Sequence, residues 1–434
     1  MTRARRVVLL CPDPVGERMR GLGIRYTEIA RALRDGGVHV TLAAPAVGET
    51  PEPDVVLHEW RIDEIRALRA LLHGSDVVLA PPAAPHVMRE LRRSAACVAI
   101  DLYDPAALEV LEHHAGRSRA LRALHSTTAD DQLADALATG DFFACATERQ
   151  RDLWIGALLA RGRITPGLYD RDPTLRELID IVPFGVPAAA PSPAVADPIR
   201  ARFPQIPGDE PILLWNGGLW RWLDAPTAIR AVARVRERGR PLHLVFMGAS
   251  VAGGAGAALG QARAAVSEAG LGDVAHFNDR WVPYTDRAGW LQASAAVIST
   301  HRDHLETRYA FRTRLLDCLW AGVPAVVTAG DELATRIARD DLGAVAEPGD
   351  VEGLADGIER VLGRGRDAYA PALRAAAREY EWPRVIVPLR AFIDRDAGLA
   401  ARSRATAVLT TPAMRPLRRA AQRLTRLARR AGSR

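Results

Sequence analysis

The sequence contains no lysine, and all 58 of its basic residues are arginines. Schiff-base catalysis, a covalently held pyridoxal phosphate and the phosphate-binding lysine of a P-loop all need a lysine amine, so these chemistries are excluded. Any phosphate group must be bound by arginine side chains, backbone N–H groups or helix N-termini.

Cysteines are few, and long apolar runs are missing. The four cysteines lie far apart in apolar segments without the C-x-x-C spacing of a zinc site, so we expect buried, reduced thiols: Cys11, Cys97, Cys145 and Cys318. No apolar run approaches the roughly 18–20 residues that span a bilayer. The apolar stretch near the N-terminus stops at Pro12, which is too short for a signal peptide. We therefore expect a cytoplasmic protein.

Charge is distributed unevenly along the chain. Residues 402–434 hold ten arginines and no acid, so residues 1–401 carry a net charge of −4 against +6 for the whole chain. The mildly acidic body does not favour specific nucleic-acid binding. At helical spacing, residues 417–431 of the tail place leucines and alanines on one face and arginines on the other. This pattern predicts a peripheral protein attached to an anionic membrane surface at its inner face. A disordered, solvated tail, or one that binds nucleic acid incidentally, is the alternative.

Apolar, β-rich segments alternate with helical patterns, which predicts an α/β fold with parallel sheets. In the first half we predict a helix over 24–33 and strands over 7–11, 39–44, 76–80, 97–101 and 142–146. The same order restarts at Pro211, with helices over 226–236 and 311–320 and strands over 212–215, 243–248, 274–277, 296–300 and 325–328.

These two halves predict two Rossmann-like domains facing each other across a cleft, with the ligand at the carboxyl ends of the strands. We expect an N-terminal acceptor-side domain over 1–185, a Pro- and Ala-rich linker over 186–210 and a C-terminal donor-side domain over 211–385. A segment over 386–401 is expected to return toward the first domain, and 402–434 form the basic tail.

A glycine cluster follows the first predicted strand. Gly21, Gly23 and Arg25 open a helix there, which suits a diphosphate or a sugar. The third glycine of G-x-G-x-x-G is missing and no acid ends the second strand, which argues against a nicotinamide cofactor. A purely structural turn is the alternative.

A second glycine cluster occupies the equivalent place in the second half. Gly217 and Gly218 follow a buried strand and allow close approach of the backbone to phosphate. Trp220 or Trp222 is expected either to stack on a base or sugar or simply to pack in the core.

The richest polar segment runs from 299 to 324. Arg312, Thr313 and Arg314 fall in the first turn of the predicted helix, where arginine opposes the helix dipole unless an anion is bound there. Asp317, one turn further along, can accept hydrogen bonds from the two hydroxyls of a ribose.

Two polar spots give weaker signals. Asp101 and Asp104 follow a strand end, where they either position an acceptor hydroxyl or cap the next helix. One loop holds His301, Asp303 and His304, but without fixed spacing these residues give little support for a metal site, and we predict none.

These motifs resemble glycosyltransferase family 4 and its relatives, retaining enzymes of the GT-B fold that use nucleotide-diphosphate sugars. The resemblance covers roughly residues 5–395. It is carried by the glycine loop with Arg25 and by the segments 145–154, 182–187 and 306–324.

The resemblance implies roles for individual residues. Asp317, ahead of the Ala-Gly-Val-Pro ending at 324, matches the family's second acid and implies a ribose ligand. Tyr309 stands at the place of the first acid, so Glu306, three residues earlier, is the substitute sugar ligand. Gly218 and Leu223 stand about where the family has Arg and Lys, which leaves the diphosphate to arginines 312 and 314.

The implied function is transfer of a sugar from a nucleotide-diphosphate sugar to a hydroxyl acceptor, with retention and without a metal or other cofactor. The candidate catalytic residues are Arg312, Arg314, Glu306 and Asp101. The implied setting is synthesis of an envelope polysaccharide or glycolipid, with an acceptor that is lipid-linked. A sugar-nucleotide epimerase and an inactive sugar-nucleotide binding protein of the same fold are the alternatives.

Overall fold

The structure is a computed structural model that describes residues 4–48, 55–249 and 256–395. The first half of the chain contains these elements: β1 (Arg6–Leu10), α1 (Gly21–Asp35), β2 (His39–Ala44), β3 (Val56–Glu59), α2 (Ile65–Leu72), β4 (Val77–Ala80), α3 (Pro85–Arg93), β5 (Cys97–Asp101), α4 (Ala106–His113), α5 (Arg119–Thr139), β6 (Phe142–Cys145), α6 (Glu148–Ala160), α7 (Pro166–Arg171) and β7 (Ile179–Ile181).

The second half follows the same alternation of strands and helices. Its elements are α8 (Pro198–Arg202), β8 (Ile212–Gly218), α9 (Ala225–Glu237), β9 (His243–Gly248), α10 (Gly256–Glu268), β10 (Ala275–Phe277), α11 (Arg287–Gln292), β11 (Ala296–Ser299), α12 (Leu305–Tyr309), α13 (Thr313–Ala321), β12 (Ala325–Thr328), α14 (Glu332–Arg339), β13 (Gly343–Ala346), α15 (Val351–Arg364), α16 (Arg366–Ala377), α17 (Trp382–Val385) and α18 (Val387–Asp394).

The described strands form two parallel sheets. The first has the order β3-β2-β1-β4-β5-β6-β7 and the second the order β10-β9-β8-β11-β12-β13. In each sheet the strand order reverses beside the strand that comes first in the chain, β1 in the first sheet and β8 in the second. Such a reversal opens a crevice at the carboxyl ends of the strands. The predicted α/β architecture with two Rossmann-like halves is confirmed, and these two crevices position the candidate site.

The central strands are apolar because helices cover both faces of each sheet. Every residue of β4 and β12 is buried. Three strands were not predicted: β3, β7 and β13. The exposed residues of β3, the brevity of β7 and the small residues of β13 leave little apolar signal in the sequence.

The last helices return to the first domain. The ring of Phe392 in α18 stacks on Phe142 at the start of β6, with centroids 5.0 Å apart. Arg390 donates from Nη1 to the carbonyl of Gly36, at 2.6 Å. These contacts fix the second half of the chain on the first.

The four cysteines are buried and unpaired, as predicted. Within the described ranges, no helix is both long enough and apolar enough to cross a membrane. The basic tail, residues 402–434, lies outside the described residues.

Candidate functional site

At the carboxyl end of β8, the backbone of two glycines lies at the cleft. The register against β9 shifts between Trp215 and Gly218, and Gly217 has φ = +143°, a conformation that disfavours any side chain. A Cβ atom on Gly248 would lie 2.8 Å from the Gly217 carbonyl oxygen, so the two strands meet through glycines. The two glycines at 217 and 218 are thus the last residues of the strand rather than a separate turn.

Arg314 lies directly against this glycine pair. Its Nη2 donates to the carbonyl of Gly218, at 3.1 Å, and its guanidinium carbon lies 5.7 Å from the ring centre of Trp215. Its Nη1 is buried and has no hydrogen-bond partner. No acid in the described part of the chain forms an ion pair with it, and burial, together with the charge of Arg312, lowers its pKa to about 10. An enclosed cation without a counter-ion fits an anionic ligand.

Arg312 is engaged differently from the prediction. It occupies the N-cap position of α13, ahead of the first turn, without a side-chain capping bond, and its Nη2 pairs with Oε2 of Glu306 at 3.1 Å. Both side chains are buried, so the expectation that Arg312 is a free diphosphate ligand needs correction. Oε1 of Glu306 and Nε of Arg312 remain without hydrogen-bond partners. The pair therefore keeps one acceptor and one donor for a bound molecule.

Asp317 forms an ion pair that the sequence did not reveal. Nε of Arg287 donates to Oδ1 of Asp317 at 3.0 Å. The guanidinium of Arg287 lies between two aromatic rings, 3.5 Å from the centre of Tyr284 and 4.5 Å from that of Trp320. Arg287 thus fixes one carboxylate oxygen of Asp317. No motif distinguishes it from the other arginines, which is why sequence analysis missed it.

Arg25 and Asp101 form a buried pair in the first domain. Nε and Nη2 of Arg25 donate to the two carboxylate oxygens at 2.9 and 3.0 Å, and further donors reach the carbonyls of Val182 and Pro183. Arg25 has no exposed surface. The predicted roles of Arg25 in diphosphate binding and of Asp101 in catalysis are corrected, because the two charges satisfy each other inside the domain.

The first glycine cluster has a mainly structural explanation. A Cβ atom on Gly23 would lie 2.6 Å from the carbonyl oxygen of Pro14, so glycine is needed for packing. Gly21 begins α1, and a Cβ atom there would meet nothing within 4 Å. Only Gly21 of the predicted trio therefore has free space around it.

The two tryptophans after β8 stack on each other. The rings of Trp220 and Trp222 are nearly parallel, with centroids 5.4 Å apart. Leu223, where the resemblance places a basic residue, is buried and its backbone bridges to His301. The stack occupies one face of each ring, and contact of Trp220 with the donor stays a prediction.

Acidic residues of the first domain face Glu306. Burial and the charge of Glu306 raise the pKa of Glu109 to about 7. Burial and the charge of Glu109 also raise the pKa of Asp104 well above its ordinary value. Asp104 does not cap α4, whose first turn has no side-chain cap. Sequence analysis missed Glu109, which lies on a helix without motif.

Side chains from both domains meet across the cleft. Nε2 of Gln150 donates to the carbonyls of Tyr103 in the first domain and Tyr309 in the second, at 2.8 and 2.7 Å. Nε1 of Trp281 donates to the carbonyl of Glu17 at 3.1 Å. The predicted polar segments are therefore assembled into one cleft.

The second half of the chain matches a known family. Residues 210–364 match the model described as Glycosyl transferases group 1. No curated protein matches the sequence at a significant level.

Solved structures match over nearly the whole chain. Sucrose-phosphate synthase from Thermosynechococcus elongatus is 17% identical with a TM-score of 0.60, and 93% of this chain and 100% of that one are covered. WaaG, a glycosyltransferase involved in lipopolysaccharide biosynthesis, is 18% identical with a TM-score of 0.61, covering 89% and 98%. Anabaena HepE in complex with UDP-glucose is 11% identical with a TM-score of 0.64, covering 92% and 99%.

The chain has the GT-B fold, and its residues 210–364 are similar to group 1 glycosyl transferases. The GT-B cleft is the one described above, between the carboxyl ends of β1 and β4 and those of β8 and β11.

The histidine loop of the GT-B cleft does not gather metal ligands. Nδ1 of His304 accepts from the backbone N–H of Thr307, at 3.2 Å. His301 is buried, and burial together with the charges of Arg312 and Arg314 lowers its pKa well below the ordinary range. In the residues that the structure describes, no cluster of three His, Cys, Asp or Glu side chains is arranged to hold a metal ion.

Proposed function

We propose that the protein transfers a sugar from a nucleotide-diphosphate sugar to a hydroxyl acceptor, with retention at the anomeric carbon. The observation that carries this proposal is Arg314, a cation without a counter-ion beside the glycines that end β8. The group 1 match of the second domain and the likeness to HepE, whose structure contains UDP-glucose, support the same donor class.

In this proposal, the diphosphate lies between Arg314 and the N-terminus of α13. Negative charge grows on the leaving diphosphate as the glycosidic bond breaks, and a fixed guanidinium stabilises that charge without a metal or cofactor. Such groups accelerate the reaction because they are already oriented before the charge develops.

The nucleoside and sugar would occupy either side of the diphosphate. Asp317 has one oxygen held by Arg287, and its other oxygen would accept from the ribose hydroxyls. Glu306, with an unpartnered Oε1, would accept from a hydroxyl of the sugar, and the buried Arg312 would hold that carboxylate in place through its other oxygen.

A nucleotide panel tests the donor class. UDP, GDP, ADP and dTDP sugars are added to the purified chain, and the one that binds the folded state raises the melting temperature by mass action. The shift should disappear in Arg314→Ala and persist in Arg308→Ala, which removes an exposed arginine of α12. An equal shift in wild type and Arg314→Ala would show that the diphosphate lies elsewhere.

A non-catalytic sugar-nucleotide binding protein is the second candidate. Tyr309 in place of an acid, and the pairing of Arg312 with Glu306, favour it. Incubation with the stabilising sugar nucleotide separates the two functions. Transfer or slow hydrolysis with release of nucleoside diphosphate supports the transferase, whereas binding without release over many hours supports the binding protein. Epimerisation would yield a second sugar nucleotide.

We further propose that residues 402–434 hold the protein at the inner face of an anionic membrane, where a lipid-linked envelope acceptor would be available. Each arginine near such a surface contributes about 1 kcal/mol, so the tail's charge suffices for reversible, salt-sensitive binding. Vesicle co-sedimentation compares the full chain with one ending at Arg402. Equal pelleting of both on anionic vesicles would contradict this proposal.

A further inference from the structure

Histidines and arginines gather at the turn between α4 and α5. The rings of His114 and His125 stack with centroids 3.9 Å apart and 9° between their planes. His113 meets His114 edge-on at 4.8 Å. Burial, the two neighbouring histidines and Arg117 together lower the pKa of His114. We call His113, His114, Arg117, Arg122 and His125 the cationic turn.

The second domain adds an arginine to this place. A Cβ atom on Gly116 would lie 2.7 Å from Nη2 of Arg221, so the guanidinium lies directly against the backbone of the turn. Helix α4 also packs against α12, the helix that carries Glu306. The cationic turn therefore stands at the edge of the cleft, next to the donor side.

The positive charge at this place is not compensated. Arg117, Arg122 and Arg221 form no ion pair with any acid that the structure describes. Nε of Arg122 and Nδ1 of His114 are buried and have no hydrogen-bond partner. Arg238 on the surface of the second domain shows the contrasting case, since it pairs with three acids. Unpaired like charges held together repel each other, so this arrangement fits an anion bound between them.

The distribution of charged residues along α4 indicates which kind of molecule would carry the anion. Glu109, with Asp104 just before the helix, faces Glu306 in the cleft. One turn later, the same helix carries His113 and leads to the cationic turn. A molecule lying along α4 would meet acids at its hydroxyl end and cations at its other end.

We propose that the cationic turn and Arg221 bind the phosphate group of a phosphorylated acceptor, whose hydroxyl then lies beside Glu109 and Glu306. The proposal rests on the proposed function, since it names the class of the acceptor. The phosphate is a monoester or diester, carried either by a free sugar phosphate or by a lipid headgroup. Because Arg221 comes from the second domain, the bound phosphate bridges the two domains.

The test uses the full chain labelled with ¹⁵N at histidine, so that imidazole resonances report on each site separately. Inorganic phosphate and glucose 6-phosphate are titrated against matched chloride, with His114→Gln and His125→Gln variants to assign the signals. We expect saturable shifts of His114 and His125 and a rise in their pKa, because a bound anion favours the protonated imidazole.

Variants decide whether these arginines hold the phosphate. The double variant Arg117→Ala, Arg221→Ala should weaken phosphate binding at least tenfold, whereas Arg66→Ala, which removes an exposed arginine of α2 in the same domain, should leave it unchanged. Equal binding by the double variant and the wild type would overturn the proposal.

A second experiment with lipid vesicles distinguishes a lipid headgroup from a free sugar phosphate as the source of the phosphate. Vesicles of phosphatidylglycerol are compared with vesicles of phosphatidylcholine, using the chain ending at Arg402 so that the tail does not contribute. Imidazole shifts with phosphatidylglycerol alone, lost in the double variant, support a lipid-borne acceptor. No response to phosphate, glucose 6-phosphate or phosphatidylglycerol overturns the proposal.

The same samples distinguish failure of this proposal from failure of the proposed function. The double variant should keep the melting-temperature shift caused by the donor nucleotide, because Arg314 is untouched. Loss of the nucleotide shift in wild type would remove the donor assignment, whereas a normal nucleotide shift without any imidazole response would remove only the acceptor site.

Discussion

Two arginines, one in each domain, have opposite surroundings. Arg25 in the first domain is completely buried and pairs with both oxygens of Asp101, and its pKa is raised even though burial alone would lower it. Arg314 in the second domain has one carbonyl contact and no acid, and burial lowers its pKa to about 10. The first arginine has its anion built into the fold, whereas the second fits one that arrives from outside.

The largest expected effect is on stability, from breaking the first pair. Asp101→Ala leaves the Arg25 guanidinium buried without its anion and should lower the free energy of unfolding by about 3–5 kcal/mol, measured by urea denaturation. Replacing both partners, Arg25→Met with Asp101→Leu, should cost much less because no charge remains. A small loss in the single variant would show that Arg25 finds other partners and would break the comparison.

Arg314→Ala should have the opposite effect, weakening ligand binding while leaving stability intact. Removing an enclosed cation without a counter-ion should leave the unfolding free energy of the free protein unchanged or slightly higher. Binding of the donor nucleotide should weaken by about 2–3 kcal/mol, since a charge-assisted contact is lost. Calorimetry of nucleotide binding and urea denaturation on the same samples measure both. A stability loss as large as that of Asp101→Ala, with unaltered affinity, would make Arg314 a structural residue too.

Asp317→Asn tests a residue that both forms an ion pair within the protein and is proposed to bind the ligand. The amide oxygen can still accept from Arg287, so the unfolding free energy should fall only modestly, while nucleotide affinity should fall by about 1–2 kcal/mol through the weaker ribose contact. Glu352→Gln, on the exposed face of α15, serves as a carboxylate control far from the cleft. An affinity equal to wild type would remove the ribose assignment.

The fold was more accessible to sequence reasoning than the site. Buried parallel strands such as β4 and β5 are continuous apolar runs, and that pattern predicts them directly. Whether an arginine is a ligand or a structural residue depends on which carboxylate the fold brings to it. Arg25 and Asp101 are 76 positions apart, and nothing in either local motif links them.

The same limit explains the residues that were missed. Arg287 reaches Asp317 from the start of α11, 30 positions earlier, and Glu109 meets Glu306 only because the two domains face each other. Local signals did find the segment that carries Arg314 and Asp317, because an arginine beside a helix N-terminus is unfavourable without an anion. The rest required the tertiary contacts.

The last expected effect is on the pH dependence of stability and comes from Glu109, an acid that faces the charge of Glu306 as Arg314 faces that of Arg312. Its pKa rises from an ordinary value near 4.5 to about 7. Between these two pH values the unfolded chain has lost the proton that the folded chain still holds, so the free energy of unfolding falls as pH rises through that window and levels off above it.

Glu109→Gln cannot ionise and should lack this pH dependence. Near pH 4.5 its melting temperature should be close to that of the wild type, and the difference in favour of the variant should grow up to pH 7. Glu112→Gln, on the same helix, is the control for a general effect of removing charge. A constant difference between Glu109→Gln and wild type at all pH values would mean that Glu109 is solvated and ionised in the folded protein, and the acidic end of the acceptor path along α4 would then lose its main support.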